Sequence, residues 1–140
     1  MVQDYRYLNK WTIKNNYPLL LISDVLENIG MKKVFMKMDL RWGYNNMRIK
    51  EGDKWKATFT TLEESFEPTV MFFGLTNSPA TFQAMMNELL RDLINIEKVA
   101  AFIDDMIIGM ETEEGHDELV VEVIRRLEEN DLYVKPEKYK

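Results

Sequence analysis

Two short apolar runs, Val99 to Ile103 and Met106 to Gly109, are separated only by Asp104-Asp105. Apolar runs of this length read as buried strands, and strands this close in sequence can join only through a tight turn. The segment is therefore an antiparallel hairpin with two carboxylates at its tip. Adjacent strand residues point to opposite faces, so a turn at the pair is the way to present both carboxylates to one side. Asp is a favoured turn residue, and that alone would account for the pair. The apolar flanks argue for more. Two uncompensated carboxylates repel, which raises the pKa of one of them unless a cation sits nearby.

A second acid stands in a comparable place. Val34 to Met38 reads as a buried strand that delivers Asp39 at its end, followed by Leu40-Arg41-Trp42-Gly43-Tyr44. Taken singly, Asp39 is an ordinary strand-terminal acid. If its strand lies beside the hairpin, Asp39, Asp104 and Asp105 converge. Three carboxylates suit two Mg²⁺ ions roughly 3.5–4 Å apart, the arrangement that supports in-line phosphoryl transfer. Other metal chemistries lack ligands, because the chain has no cysteine and only one histidine, His116. Any metal must be held by oxygen.

The remaining pattern is mixed. Leu21, Ile22, Val25, Leu26 and Ile29 repeat with helical spacing and stop at Gly30. Met47 to Lys50 and Trp55 to Thr61 flank Glu51-Gly52-Asp53-Lys54 as a predicted hairpin, and Phe66 to Phe73 is a further strand interrupted by Pro68. Ser78-Pro79 opens a helix as N-cap and first-turn proline, with Phe82, Met85, Met86, Leu89, Leu90 and Leu93 as its apolar stripe. Leu119, Val120, Val123, Ile124 and Leu127 mark another amphipathic helix, and Leu132 to Val134 a closing strand. Intermixed strands and helices with tight turns predict an α+β fold, a mainly antiparallel sheet with helices packed on one face. A length of 140 residues without repeats or linkers predicts one domain over 1–140. Beginning at Asp4-Tyr5-Arg6 and ending on Lys138-Tyr139-Lys140, the chain reads as a cut fragment. No apolar run approaches the roughly 18 residues of a membrane helix, which argues for an intracellular protein with no membrane partner, cytoplasmic or nuclear.

Charge is segregated. Residues 1–56 carry 11 Lys and Arg against 6 Asp and Glu, whereas the rest of the chain carries 7 against 18. A basic first part could track a phosphate backbone while later carboxylates hold cations; solvated faces would give a similar count. In Phe72-Phe73-Gly74-Leu75-Thr76-Asn77, Gly74 lets backbone approach a ligand closely and Phe73 offers a face to a base.

Read in order, Asp4 to Lys10, Lys14 to Leu19, Asp39 to Tyr44, Phe73 to Gln83, Asp104-Asp105 and Pro136-Glu137-Lys138 closely resemble the reverse transcriptases of gypsy-class LTR retrotransposons. The likeness covers nearly the whole chain. It implies a reverse-transcriptase-like palm with partial fingers, whose activity is RNA-directed DNA polymerisation. Asp39, Asp104 and Asp105 are then the catalytic triad and ligands of two Mg²⁺, with Mn²⁺ a possible substitute, and Asp39 and Asp104 bridge the ions. Tyr44 is implied to sit under the sugar of the incoming dNTP and to exclude a 2′-hydroxyl. Backbone amides near Trp42 and Gly43 would touch the triphosphate, and Phe73 and Gly74 would line the nucleotide pocket. Lys138 resembles the late motif lysine that protonates leaving pyrophosphate, with a plain surface lysine as the alternative. Implied partners are dNTPs, an RNA or DNA template with its primer, and the remaining pol regions: thumb, connection and RNase H.

Departures are Phe102-Ile103 where the family has Tyr-Leu, Phe72 where a proline often stands, and no basic residue in Thr60 to Glu64. The main alternative is a non-catalytic retrotransposon remnant that at most binds nucleic acid. A phospho-acceptor receiver domain is disfavoured because there the acidic pair precedes the single Asp. An RNA-binding sheet module is disfavoured for want of an exposed aromatic stretch.

Overall fold

The computed structural model describes residues 4–19, 22–30 and 32–135. Its centre is a four-stranded antiparallel sheet of β1 (Val34–Arg41), β4 (Val99–Phe102), β5 (Asp105–Met110) and β6 (Tyr133–Val134), in the order β4-β5-β1-β6. A separate two-stranded ribbon pairs β2 (Phe59–Thr60) with β3 (Ser65–Phe66). The helices are α1 (Arg6–Trp11), α2 (Ile22–Ile29), α3 (Ser78–Leu89), α4 (Arg91–Asn95) and α5 (Glu113–Glu128). The α+β class expected from the sequence is the one observed.

Strand alternation builds the core. Met38 and Leu40 of β1, Met106 and Ile108 of β5, and Val99 and Ala101 of β4 face the same way, onto Phe82 and Met86 of α3 and Leu119, Val123 and Leu127 of α5. Burying each of these large side chains contributes about 1.5–3 kcal/mol. Phe82 is wholly enclosed, so Phe82→Ala would cost about 3–5 kcal/mol. The helices-on-one-face expectation holds for α3 and α5 and needs a supplement. On the other face Ile29 of α2 packs with Ala100 and Ile107. That contact depends on Gly109, where a Cβ would meet Ile29 Cγ2 at 2.5 Å.

The ends of α5 follow local rules. Thr112 caps it in extended conformation, accepting from the Gly115 amide at 3.3 Å; Glu113 and Glu114 occupy its first turn and Arg125 and Arg126 its last, both favourable to the helix dipole. At α3 the cap position falls to Asn77, one residue before the predicted Ser78, with Pro79 in the first turn. Asn77 does not cap with its side chain, which accepts from the Asn15 amide at 2.9 Å and donates to the Ile13 carbonyl at 2.8 Å. The stripe read as one helix through Leu93 is divided at Leu90, and α4 continues it.

Two expectations for residues 47–73 are corrected. Met47 to Lys50 does not form a hairpin with Trp55 to Thr61. Instead the Ile49 amide donates to the Thr69 carbonyl at 3.0 Å and the Met71 amide to the Met47 carbonyl at 2.7 Å. The intervening chain turns through a short 3-10 segment, Lys54–Ala57, whose buried Ala57 carbonyl accepts from Tyr5 Oη at 3.0 Å. The hairpin lies further on, between β2 and β3, where Phe59 and Phe66 stack with ring centres 5.8 Å apart. The strand over Phe66 to Phe73, expected with an interruption at Pro68, is reduced to Phe66 in β3 and a lone bridge of Val70 with Arg48, because Pro68 has no amide hydrogen to give a ladder. No helix among the described residues is long and apolar enough to cross a membrane.

Candidate active site

β1 and β5 run antiparallel with Asp39 directly opposite Asp105, so their side chains share one face of the sheet. β4 and β5 pair up to Phe102 opposite Asp105, leaving Ile103-Asp104 as a two-residue turn. Ile103 has φ of 54°, a left-handed conformation that is strongly disfavoured for a β-branched residue. Neighbouring elements hold it. The Ile103 amide donates to Gln83 Oε1 at 2.7 Å, Gln83 Nε2 donates to the Ala101 carbonyl at 2.8 Å, and the Leu40 amide donates to the Asp104 carbonyl at 2.8 Å. The Lys135 amide donates to the Asp39 carbonyl at 2.9 Å, bringing the chain after β6 against the same corner.

The three acids differ in environment. Asp39 is only 5% exposed, whereas Asp105 is open to solvent. Lys37, two residues before Asp39 and therefore on its face, places Nζ 3.2 Å from Asp105 Oδ1 and 3.9 Å from Asp39 Oδ1. Asp104 Oδ1 is buried and has no hydrogen-bond partner. Burial raises the Asp104 pKa above the ordinary carboxylate value; the Lys135 charge opposes the rise, and the charges of Asp105 and Asp39 add to it. Gly43 makes the close approach possible, since a Cβ there would lie 2.5 Å from Asp104 Oδ1 and 2.7 Å from Phe82 Cζ.

Among the described residues no three acidic or imidazole side chains are gathered tightly enough to hold an ion as they stand. The donor chemistry nonetheless fits a hard cation. The ligand atoms on offer are carboxylate oxygens, one of them buried without a partner, and a divalent ion is the group that would relieve their mutual repulsion.

The aromatic residues form an adjoining group. Trp42 has φ of 52° and is 66% exposed, with the Arg41 guanidinium 4.6 Å from its ring centre. It leads into a 3-10 turn, Gly43–Asn46, that buries Gly43 and Tyr44. The Tyr44 ring meets Phe73 and Phe82 edge-on, at 4.9 and 5.5 Å between centres, and burial followed by the Asp104 charge raises its hydroxyl pKa. Phe73 is 72% exposed, and Gly74 takes φ of 108°, which favours glycine. Asn9 clasps this loop, donating to the Gly74 carbonyl at 2.7 Å and accepting from the Thr76 amide at 2.9 Å. Gly43 joins the two groups, touching the Asp104 carboxylate on one side and leading to Tyr44 on the other. Lys138 lies outside the described residues.

Four residues at the site, Lys37, Gln83, Asn9 and Lys135, carry no functional role in the sequence pattern. Lys37 was accessible, because residues two apart on a strand share a face. Gln83 left one clue, a polar side chain beside Phe82 in the apolar stripe. Asn9 lies in the Asp4 to Lys10 stretch of the resemblance, and Lys135 left no signal.

The family described as reverse transcriptase (RNA-dependent DNA polymerase) matches residues 1–140. An RNA-directed DNA polymerase homolog of Oenothera berteroana is 43% identical over 108 residues, covering 77% of this chain and 75% of that protein. The Transposon Tf2-3 polyprotein of Schizosaccharomyces pombe is 34% identical over 138 residues, which is 99% of this chain but only 10% of the polyprotein. Among solved structures, the foamy viral protease-reverse transcriptase in complex with RNA/DNA hybrid superposes with a TM-score of 0.88 at 28% identity, over 99% of this chain and 18% of that one. A form of that protein in complex with double-stranded DNA gives a TM-score of 0.85 at 26% identity, over 94% of this chain and 23% of that one.

Proposed function

Because the chain belongs to the reverse transcriptase (RNA-dependent DNA polymerase) family, we propose that it carries the palm and part of the fingers of a gypsy-class LTR retrotransposon enzyme. Its reaction is then the transfer of dNTPs onto a primer 3′-hydroxyl, directed by an RNA or DNA template inside the cell. The observation that carries this reading is the direct opposition of Asp39 and Asp105, with Asp104 in the turn between them and β4.

Asp39, Asp104 and Asp105 would hold two Mg²⁺ ions, or Mn²⁺ in their place. When bound, such ions lower the pKa of the attacking hydroxyl and neutralise charge developing on the leaving pyrophosphate. The chain's own residues bind and orient. Lys37 balances the carboxylates until cations arrive. Tyr44, braced edge-on by Phe73 and Phe82, forms a rigid wall against the sugar and excludes a 2′-hydroxyl. The backbone around Trp42 and Gly43 offers amides to the triphosphate, and exposed Phe73 with Gly74 lines the base. Lys138 delivers a proton to pyrophosphate. The remaining pol regions, thumb, connection and RNase H, would complete the grip on primer and template.

Primer extension on an RNA template tests this, comparing the chain, its Asp104→Asn variant and a longer chain with flanking fingers and thumb segments. Extension that disappears with Asp104→Asn supports the reading. A well-folded longer chain that extends nothing overturns it and leaves a non-catalytic remnant.

A further inference from the structure

Gln83 is the most deeply buried amide near the carboxylates, 4% exposed, and no step of the proposed chemistry uses it. It reaches from α3 to the hairpin and satisfies two backbone groups there. Its Oε1 accepts from Ile103 and its Nε2 donates to Ala101, on either side of Phe102. A neutral amide is suited to this, since it presents an acceptor and donors on one short planar group. Which end faces which is set by these two backbone groups, since Ile103 N–H can only donate and the Ala101 carbonyl can only accept; Asn87 then accepts the second Nε2 hydrogen with Oδ1 at 2.9 Å and donates from Nδ2 to Tyr17 Oη at 2.9 Å. The amide is thereby locked in one orientation.

The consequence falls on Asp104. Ile103 holds an unfavourable left-handed conformation, and such a residue persists only where its surroundings over-determine it. Gln83 grips the turn from the helix side through Ile103, and Leu40 grips it from the strand side through the Asp104 carbonyl. Between these holds the Asp104 carboxylate is set against Gly43. We infer that Gln83 is a positioning residue: it fixes the strained Ile103-Asp104 turn and so sets the affinity of the carboxylates for a divalent cation. The cation half of this statement rests on the proposed function; the turn half does not.

The test compares the 140-residue chain with its Gln83→Met and Gln83→Glu variants. Amide hydrogen exchange is read at Ile103 and, as a monitor of overall opening, at Val123 and Leu127 in α5. Mn²⁺ binding is titrated by paramagnetic broadening. Met fills the space and offers no partner to either backbone group. It is expected to speed Ile103 exchange about tenfold beyond any change in α5, the scale of one buried hydrogen bond. It should also weaken Mn²⁺ binding roughly tenfold, the low end for loss of an outer-shell partner. Glu keeps an acceptor for Ile103 and is expected to keep that amide protected relative to α5. Ile103 exchange that rises only in step with Val123 and Leu127 would make Gln83 an ordinary core residue and overturn the inference. Unchanged Mn²⁺ affinity in Gln83→Met overturns the cation half. An unaltered chain that binds no Mn²⁺ sinks the proposed metal reading and the cation half with it, while Ile103 exchange separately decides whether Gln83 holds the turn.

Discussion

Asp39 and Asp105 face each other across the β1–β5 ladder, with Lys37 Nζ 3.2 Å from the Asp105 carboxylate and 3.9 Å from that of Asp39. Like charges directly opposite on a sheet are destabilising, and the Lys37 ammonium between these two offsets part of that repulsion.

Asp104 carries a cost of burial. Its pKa is raised, chiefly by burial, so the folded chain holds this proton more tightly than the unfolded chain. The stability this contributes is fully present at pH below the unfolded carboxylate pKa and is lost as pH rises through the folded one. In the absence of divalent ions Asp104→Asn should raise the melting temperature at pH 7, and the gain should vanish at strongly acidic pH. Added Mn²⁺ should stabilise the parent chain and leave the variant unmoved, because a ligand stabilises only the form that binds it. Thermal melts at two pH values, with and without Mn²⁺, check both points.

Gly43→Ala should damage the site without touching a carboxylate. Its Cβ would stand 2.5 Å from Asp104 Oδ1 and 2.7 Å from Phe82 Cζ, and the Phe82 ring is wholly enclosed and cannot give way. Overpacking of this kind costs about 1–3 kcal/mol. Urea unfolding should show that loss, and Mn²⁺ affinity should fall with it as Asp104 is pushed aside.

Tyr44→Val should separate sugar selection from catalysis. In a longer polymerase-competent chain it is expected to raise the use of ribonucleotides over dNTPs by roughly tenfold or more, the 1–3 kcal/mol scale of discrimination by shape. Steady-state incorporation of matched rNTP and dNTP pairs is the measurement. The same change removes the edge-on contacts to Phe73 and Phe82, so stability should fall too.

Arg126 tests the scaffold away from the site. It spans Asp92 of α4, at 2.5 and 2.8 Å, and Glu122 of α5, at 2.7 Å; its bonds hold the Asp92 carboxyl down to about 2, and those of Arg125 together with Arg126 hold the Glu122 carboxyl down to about 2. Depressed carboxylates contribute stability above the unfolded pKa and lose it as pH falls toward about 2. Arg126→Ala should lower the melting temperature by a few degrees at pH 7 and low salt, less at high salt, and hardly at all near pH 2. Melts across pH and salt read it directly.

Much of this protein was legible in its sequence because the signals were local. Short apolar runs marked β1, β4 and β5, helical spacing marked α3 and α5, and two acids between apolar runs marked a turn, which falls one residue earlier, on Ile103-Asp104. Each depends on residues within one or two turns of one another, and their chemistry is the same wherever the element is placed. What pairs with what was decided elsewhere. Residues 47–49 took 69–71 as partners instead of the nearer 55–61, because a ladder is chosen by the burial and hydrogen bonds of both edges together, and local spacing describes only one. α2 took the second face of the sheet because Gly109 leaves room there for Ile29. The polar contacts of Gln83 with Ile103, Asn9 with Gly74 and Lys37 with Asp105 likewise exist only once distant segments meet. A side-chain hydrogen bond spanning 20 or 65 residues leaves no periodicity behind. The carboxylates were written locally, but their geometry was made by the packing that holds Asp104 against Gly43.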